Sequence, residues 1–130
     1  MPVFGVKSLS ELRTCDPRLI AVFEEVVKHF DCTVLEGHRG EELQRKYFRE
    51  GKSKKDWPNG EHNKIPSKAV DVVPYPINWK DENRMRYFAG FVVGIGAMMG
   101  IKIRWGGDWN MNTDLTDQTF FDLPHFEVED

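Results

Sequence analysis

A chain of 130 residues, 40% hydrophobic and 30% charged, has the length of one globular domain and enough apolar mass to bury a core. Nine Phe, four Trp and three Tyr exclude a disordered chain, which is poor in aromatics and cannot offset its ordering entropy. A net charge of -3 gives no long-range attraction to nucleic acid, and two cysteines, Cys15 and Cys32, are too few for a disulfide framework and form no CxxC pair. The expectation is one domain over residues 1–130, monomeric, with reduced thiols and without a nucleic-acid partner.

The opening MPVFGVKSLSEL has no basic stretch followed by a long apolar run, so it does not read as a secretory signal. Synthesis and first residence in the cytoplasm are expected. Ser8 and Glu11 stand at capping-box spacing and predict a short helix over residues 9–14. Asp16 and then Pro17 supply an N-cap side chain and a proline where its missing N–H does no harm, which starts a second helix ending near Phe30. Its buried stripe is Leu19, Ile20, Phe23, Val26, Val27 and Phe30.

Cys32 to Glu36 is β-prone and runs into Gly37, His38, Arg39 and Gly40, which read as a turn. A third helix from Glu41 to Glu50 is stopped by Gly51. The basic run Arg45, Lys46, Arg49, Lys52, Lys54 and Lys55 reads as a solvated helix face and loop, with contact to an anionic polymer as the alternative. Residues 51–67 form a long polar loop, and loops of that length in compact domains tend to be functional.

Ala69 to Val73 is the next strand, closed by Pro74 and Pro76, which cannot donate to a ladder. After Asn78 or Asp81 as cap, a long helix reaches Met99, with Gly100 as its stop. The apolar run from Tyr87 to Ile101 is shorter than the ~20 residues of a membrane span and predicts a buried helix. Gly90, Gly94, Gly96 and Gly100 in it permit close approach to a sheet, at some cost in helix propensity. Ile101 to Trp105 reads as a third strand, Gly106 to Thr119 as a polar loop, and Phe126 and Val128 lie in a last strand. This order implies an α+β fold with a small, mainly antiparallel sheet packed against helices.

His62, Asp71 and His125 offer two imidazoles and one carboxylate, which fill three corners of a tetrahedron around a zinc ion and leave the fourth open for water. Asp122, three residues before His125, would be the base beside that water. In D-L-P-H-F-E, period-two alternation turns His125 and Glu127 to one face and Phe126 to the other, so Glu127 orients a ligand or supports it from behind. Asp71 follows Ala69 and Val70, where a buried carboxylate needs a partner, either a metal ion or an Arg or Lys. His62 alone, in a polar loop, also reads as a surface histidine.

Asp108, Asn110, Asn112 and Asp114 present oxygens at alternate positions, like the start of a calcium loop without its Gly and final Glu. A polar turn is the other reading, and calcium titration of rate and melting temperature separates the two. Trp105 and Trp109 read as core or cleft wall in preference to a sugar platform.

The stretches HNKIPSKAVD (His62 to Asp71), RWGGDWN (Arg104 to Asn110) and DLPHFE (Asp122 to Glu127) resemble those of the M15 peptidases, particularly the bacteriophage L-alanyl-D-glutamate endopeptidases that act as endolysins. The resemblance runs from about Glu36 to Glu127. It implies a fold shared with the D-Ala-D-Ala carboxypeptidases and dipeptidases, the hedgehog-like architecture. It further implies His62, Asp71 and His125 as zinc ligands, Asp122 as general base, and Arg39 in EGHRG as an assisting cation that stabilises an oxyanion or fixes a substrate carboxylate. His38 points away from Arg39 if the strand continues and is left out of the site.

The activity so implied is zinc-dependent hydrolysis of a peptidoglycan stem peptide at the L-Ala–D-Glu bond, in phage-induced bacteriolysis. A D-Ala-D-Ala carboxypeptidase or dipeptidase is the near alternative, and a non-catalytic wall-binding module on the same fold the distant one. Such an enzyme reaches the wall through a holin-type lesion or from a virion. The chain departs from the family pattern at Gly60, where a serine is usual, at Ser67, where a glycine is common, and in a His62–Asp71 gap two residues longer than usual.

Overall fold

Four α-helices and four short strands organise the chain, all 130 residues of which are described by a computed structural model. Helices α1 (Val6–Leu12) and α2 (Pro17–His29) precede strand β1 (Cys32–Glu36); α3 (Glu41–Arg49) and a 3-10 turn (Glu61–Asn63) precede β2 (Ala69–Pro74). Helix α4 (Glu82–Met98) then leads to β3 (Arg104–Trp105) and β4 (His125–Glu127). The strands form one sheet in the order β1-β2-β4-β3, antiparallel at every pairing. This is the α+β fold that the element order implies.

Local chemistry accounts for most of the boundaries. The Asp16 carboxylate accepts the Arg18 N–H at 2.8 Å and starts α2, while Asp81 accepts the Arg84 N–H at 3.1 Å and starts α4. Gly51 and Gly100, both at φ 75°, follow the ends of α3 and α4 in the left-handed conformation. Helix α1 differs from its expectation: it begins at Val6, capped by Gly5 without a side-chain bond. Ser8 and Glu11 instead spend their side chains on tertiary bonds, Ser8 Oγ accepting Val34 N–H at 3.1 Å and Glu11 Oε1 accepting Gly37 N–H at 3.1 Å.

The core lies between the sheet and helices α2 and α4. Phe126 stands at its centre, fully buried, with Phe23 edge-on at 5.4 Å and Phe88 at 6.1 Å. Burial of such a ring contributes about 1.5–3 kcal/mol. The stripe of α2 is as expected except that Val22 is also buried, while Ile20 and Phe30 are only partly so. Strand β3 is shorter than expected, two residues, because Ile101 and Ile103 pack against α4 and leave only Arg104 and Trp105 to pair with β4. Beyond β4, Val128 N–H still donates to Lys68 O at 2.9 Å.

The α4 glycines divide. A Cβ on Gly96 would stand 2.8 Å from Ile101 O, so this glycine permits close approach, though of the 101–103 segment that leads into β3 and not of the sheet itself. Gly90 and Gly94 face open space, against the expectation of sheet contact. Gly90→Ala and Gly94→Ala are therefore expected to raise stability by about 0.5–1 kcal/mol each through helix propensity, whereas Gly96→Ala lowers it, as urea unfolding will show.

Asp16 also fastens the end of the long loop. Its carboxylate pairs with Arg18 at 3.0 Å and with Lys68 at 2.8 Å, and its N–H donates to Ser67 O at 2.8 Å. The Arg18 hydrogen bonds, seconded by Lys68, hold this buried carboxyl well below the usual range. A depressed folded pKa stabilises above the unfolded value of about 4 and ceases to do so as pH falls toward the folded one. Asp16→Asn, which keeps the cap, is expected to cost about 1.5–3 kcal/mol at pH 7. Denaturation of both proteins at falling pH should show the gap closing below about pH 4.

Candidate metal centre and cleft

Antiparallel register builds the centre. Asp71 of β2 lies directly opposite His125 of β4, and on its other side opposite Glu36 of β1, where a bulge between Val34 and Glu36 shifts the pairing. Facing residues on neighbouring strands have Cβ atoms about 4.5–5.5 Å apart, so three strands deliver one acid, one acid and one imidazole in a row. The alternation expected of D-L-P-H-F-E holds: Phe126 enters the core while His125 and Glu127 line the cleft.

His62 arrives from the 3-10 turn of the long loop and is buried, not at the surface. Its Nδ1–H donates to Gly37 O at 2.7 Å, which leaves Nε2 unprotonated in the neutral ring and 3.1 Å from Asp71 Oδ1. His125 is oriented the other way round. Its Nε2–H donates to Glu127 Oε1 at 2.7 Å, so Nδ1 faces Asp71 Oδ1 at 3.5 Å and Asp122 Oδ2 at 3.8 Å. These tautomers follow from the partners of each ring.

Three lone pairs thus converge with no hydrogen between them in the neutral state. The three donor atoms lie within 4.8 Å of one another, and this is the one group of three or more His, Cys, Asp or Glu side chains placed to share an ion. Without a cation the cluster must hold protons instead. Burial opposes charge on His125, but its bonds to Asp71 and Glu127 outweigh that and raise it to about 10. Asp71 is likewise opposed by burial, yet the two imidazoles hold it far below the carboxylate range. A divalent ion would replace those protons, and two imidazoles plus a carboxylate are the donor set of an open zinc site.

Asp122 is placed by backbone bonds from both neighbours of the site. Its N–H donates to Gly106 O at 2.8 Å, Gly106 N–H donates to His125 O at 2.8 Å, and His125 N–H returns to Asp122 O at 3.0 Å. A Cβ on Gly106 would lie 2.1 Å from Asp122 O, so only glycine lets the two segments approach. Burial, and then the charge of Asp71, push the Asp122 carboxyl above its ordinary value, which makes it a better proton acceptor.

Arg39 lines the cleft, but its guanidinium is already engaged. Nε donates to Glu36 at 2.7 Å, Nη1 donates to Gln44 Oε1 at 2.9 Å, Nη2 lies 3.7 Å from Asp71 Oδ2, and the Tyr47 ring covers it at 4.7 Å. Gln44, 1% exposed, also donates to Ser53 Oγ and Lys55 O and accepts from Asn63. It ties α3, Arg39 and the His62 loop together. Nothing in the sequence marks it, because a glutamine on a polar helix carries no periodic signal.

All three departures from the family pattern are accommodated. At Gly60 a Cβ would stand 2.7 Å from Asn63 Oδ1, which accepts the Gly60 N–H at 2.9 Å. Ser67 is fully buried and donates its hydroxyl to Ala69 O at 2.6 Å. Lys64, Ile65 and Pro66 are exposed and take up the extra length without displacing His62.

The cleft around the cluster measures about 650 Å³. Trp109 forms one wall, 5.3 Å from His125 and stacked on Phe120 at 6.0 Å, whereas Trp105 is core, 5% exposed with its Nε1–H on Leu123 O. In the 108–114 loop, Asp108 accepts the N–H groups of Asn112 and Thr113, Asn112 that of Asp114, and Asp114 that of Thr116. The basic run splits. Arg45, Lys46 and Arg49 are exposed on or at the end of α3, as expected, but Lys52, Lys54 and Lys55 line the cleft.

Behind His125, Glu127 is also paired with Arg104 at 3.2 Å. Glu127→Ala is expected to weaken the affinity of this cluster for a divalent ion about 10–100-fold by freeing the His125 ring, measurable by competition with a chromophoric chelator.

An α+β fold carrying this cluster in the mouth of a sheet describes a peptidase class, and comparison with known proteins defines which. The family model described as phage L-alanyl-D-glutamate peptidase matches residues 2–129, and this chain belongs to that family. The L-alanyl-D-glutamate peptidase of Escherichia phage T5 is 30% identical over 121 residues, covering 88% of this chain and 87% of that protein. The L-Ala D-Glu endopeptidase ChiX of Serratia marcescens has a solved structure that matches with a TM-score of 0.76 and 27% identity, over 97% of this chain and 89% of that one.

Proposed function

We propose that this protein hydrolyses the bond between L-alanine and D-glutamate in the stem peptide of bacterial peptidoglycan, with zinc held by His62 Nε2, Asp71 and His125 Nδ1. The observation that carries the reading is the convergence of three donor atoms, all within 4.8 Å of one another, beside a half-buried aspartate. Family membership supplies the bond, since both relatives described above are named for it.

Zinc in an open three-ligand set supplies Lewis-acid polarisation and activates water near neutral pH. Asp122 takes the proton of the attacking water and returns it to the leaving amine. Arg39 acts through Asp71, whose second oxygen it faces, and through Glu36. Glu127 fixes the tautomer of His125. Trp109 and Phe120 keep one wall of the cleft apolar, which limits water around the reacting carbonyl.

Digestion of purified peptidoglycan, followed by mass spectrometry of new amino termini, tests the reading. New N-terminal glutamate is expected. Release of free D-alanine would make the protein a carboxypeptidase or dipeptidase, and wall binding without new amino groups would make it a binding module.

A further inference from the structure

Five cations line the cleft: Arg39, Lys52, Lys54, Lys55 and Arg104. Four are neutralised within the protein. Arg39 pairs with Glu36, Lys52 with Glu50 at 3.2 Å, Lys55 with Glu61 at 3.6 Å, and Arg104 with Glu127. Lys54 makes no ion pair, and its ammonium rests over the Phe120 ring at 5.1 Å from the centroid. Phe120 stacks on Trp109, and Trp109 stands beside His125. One aromatic wall therefore runs from the metal centre to a single uncompensated positive charge.

The chemistry of the substrate supplies a partner for that charge. Glutamate has two carboxyl groups, and when its nitrogen is acylated by alanine and one carboxyl continues the chain, the other remains free and ionised. Arg39 is ill suited to it, since its guanidinium already serves Glu36, Gln44 and Asp71. We infer that Lys54 binds the free carboxylate of the peptide substrate, and so makes this cleft select acidic stem peptides over amidated ones. The inference rests on the peptidase reading above. The ammonium is a strongly hydrated point charge on a flexible four-carbon stem, and the Phe120 face keeps it near the cleft before substrate arrives.

The test uses two synthetic peptides containing an L-Ala–D-Glu bond, identical except that the free glutamate carboxylate of one is a carboxamide in the other. The zinc-loaded wild-type protein should prefer the acid by about tenfold in kcat/KM, chiefly through KM, which corresponds to about 1.4 kcal/mol. Lys54→Ala should lose that preference by becoming poorer on the acid. Lys54→Arg should restore most of it, and added salt should erode it in the wild type.

Equal rates for the two peptides in the wild type, or an undiminished preference in Lys54→Ala, would overturn the inference while leaving the peptidase reading intact. Cleavage of neither peptide by the wild type would remove both. Lys54 is exposed and contributes nothing to the core, so Lys54→Ala should melt with the wild type.

Discussion

Asp122→Asn should lower kcat by about 10²–10⁴-fold while zinc remains bound at one ion per chain. The amide matches the carboxylate in shape and leaves the backbone bonds to Gly106 and His125 untouched, but it cannot accept a proton. Stability supplies an independent check. Burial and the neighbouring Asp71 raise the Asp122 pKa in the fold, so its ionised form is disfavoured there, and at neutral pH the charge costs stability. The neutral amide should therefore hold or raise the melting temperature of the metal-free protein. A variant that kept its turnover would leave the reaction without its base, and one that lost zinc would show Asp122 to be a ligand.

His125→Ala should have the larger structural effect. It removes a metal donor and strands Glu127, which is 6% exposed and would keep only Arg104 as partner. Loss of one partner from a buried charged pair costs about 3–5 kcal/mol, so this variant will be destabilised as well as inactive. His125→Gln separates the two effects, because its amide can still donate to Glu127 while offering a poor zinc ligand. It should fold, fail to retain zinc in metal analysis, and show no cleavage. Zinc at a thousandfold excess over its Kd should stabilise the wild type by about 4 kcal/mol and leave the Gln variant unmoved. Equal stabilisation of both would place the ion elsewhere.

Much of this was legible from residues. The α2 cap at Asp16, the α4 cap as either Asn78 or Asp81, the stops at Gly51 and Gly100, and the opposed faces of His125 and Phe126 follow from local stereochemistry and a period of two or 3.6. The reading failed where a side chain had a tertiary partner that outbid its local one. Ser8 and Glu11 look like a capping box and instead bind Val34 and Gly37. Gly90 and Gly94 look like packing glycines, but they face open space, and α4 meets the sheet through other residues such as Phe88, whose ring lies against Phe126.

The sequence by itself determined the inventory: which donors exist, that one of them, His125, shares a segment with the aspartate at 122, and that the chain resembles a zinc peptidase family. Tertiary structure decided the tautomers, since only the fold brings Gly37 O to one histidine and Glu127 to the other. It also decided that Arg39 is engaged by Glu36 and Gln44, that Gln44 is a buried hub, and that Lys54 alone among the cleft cations makes no ion pair. Electrostatic compensation is pairwise and acts over a few ångströms, and those short distances are set by sheet register and loop packing between residues far apart in the chain.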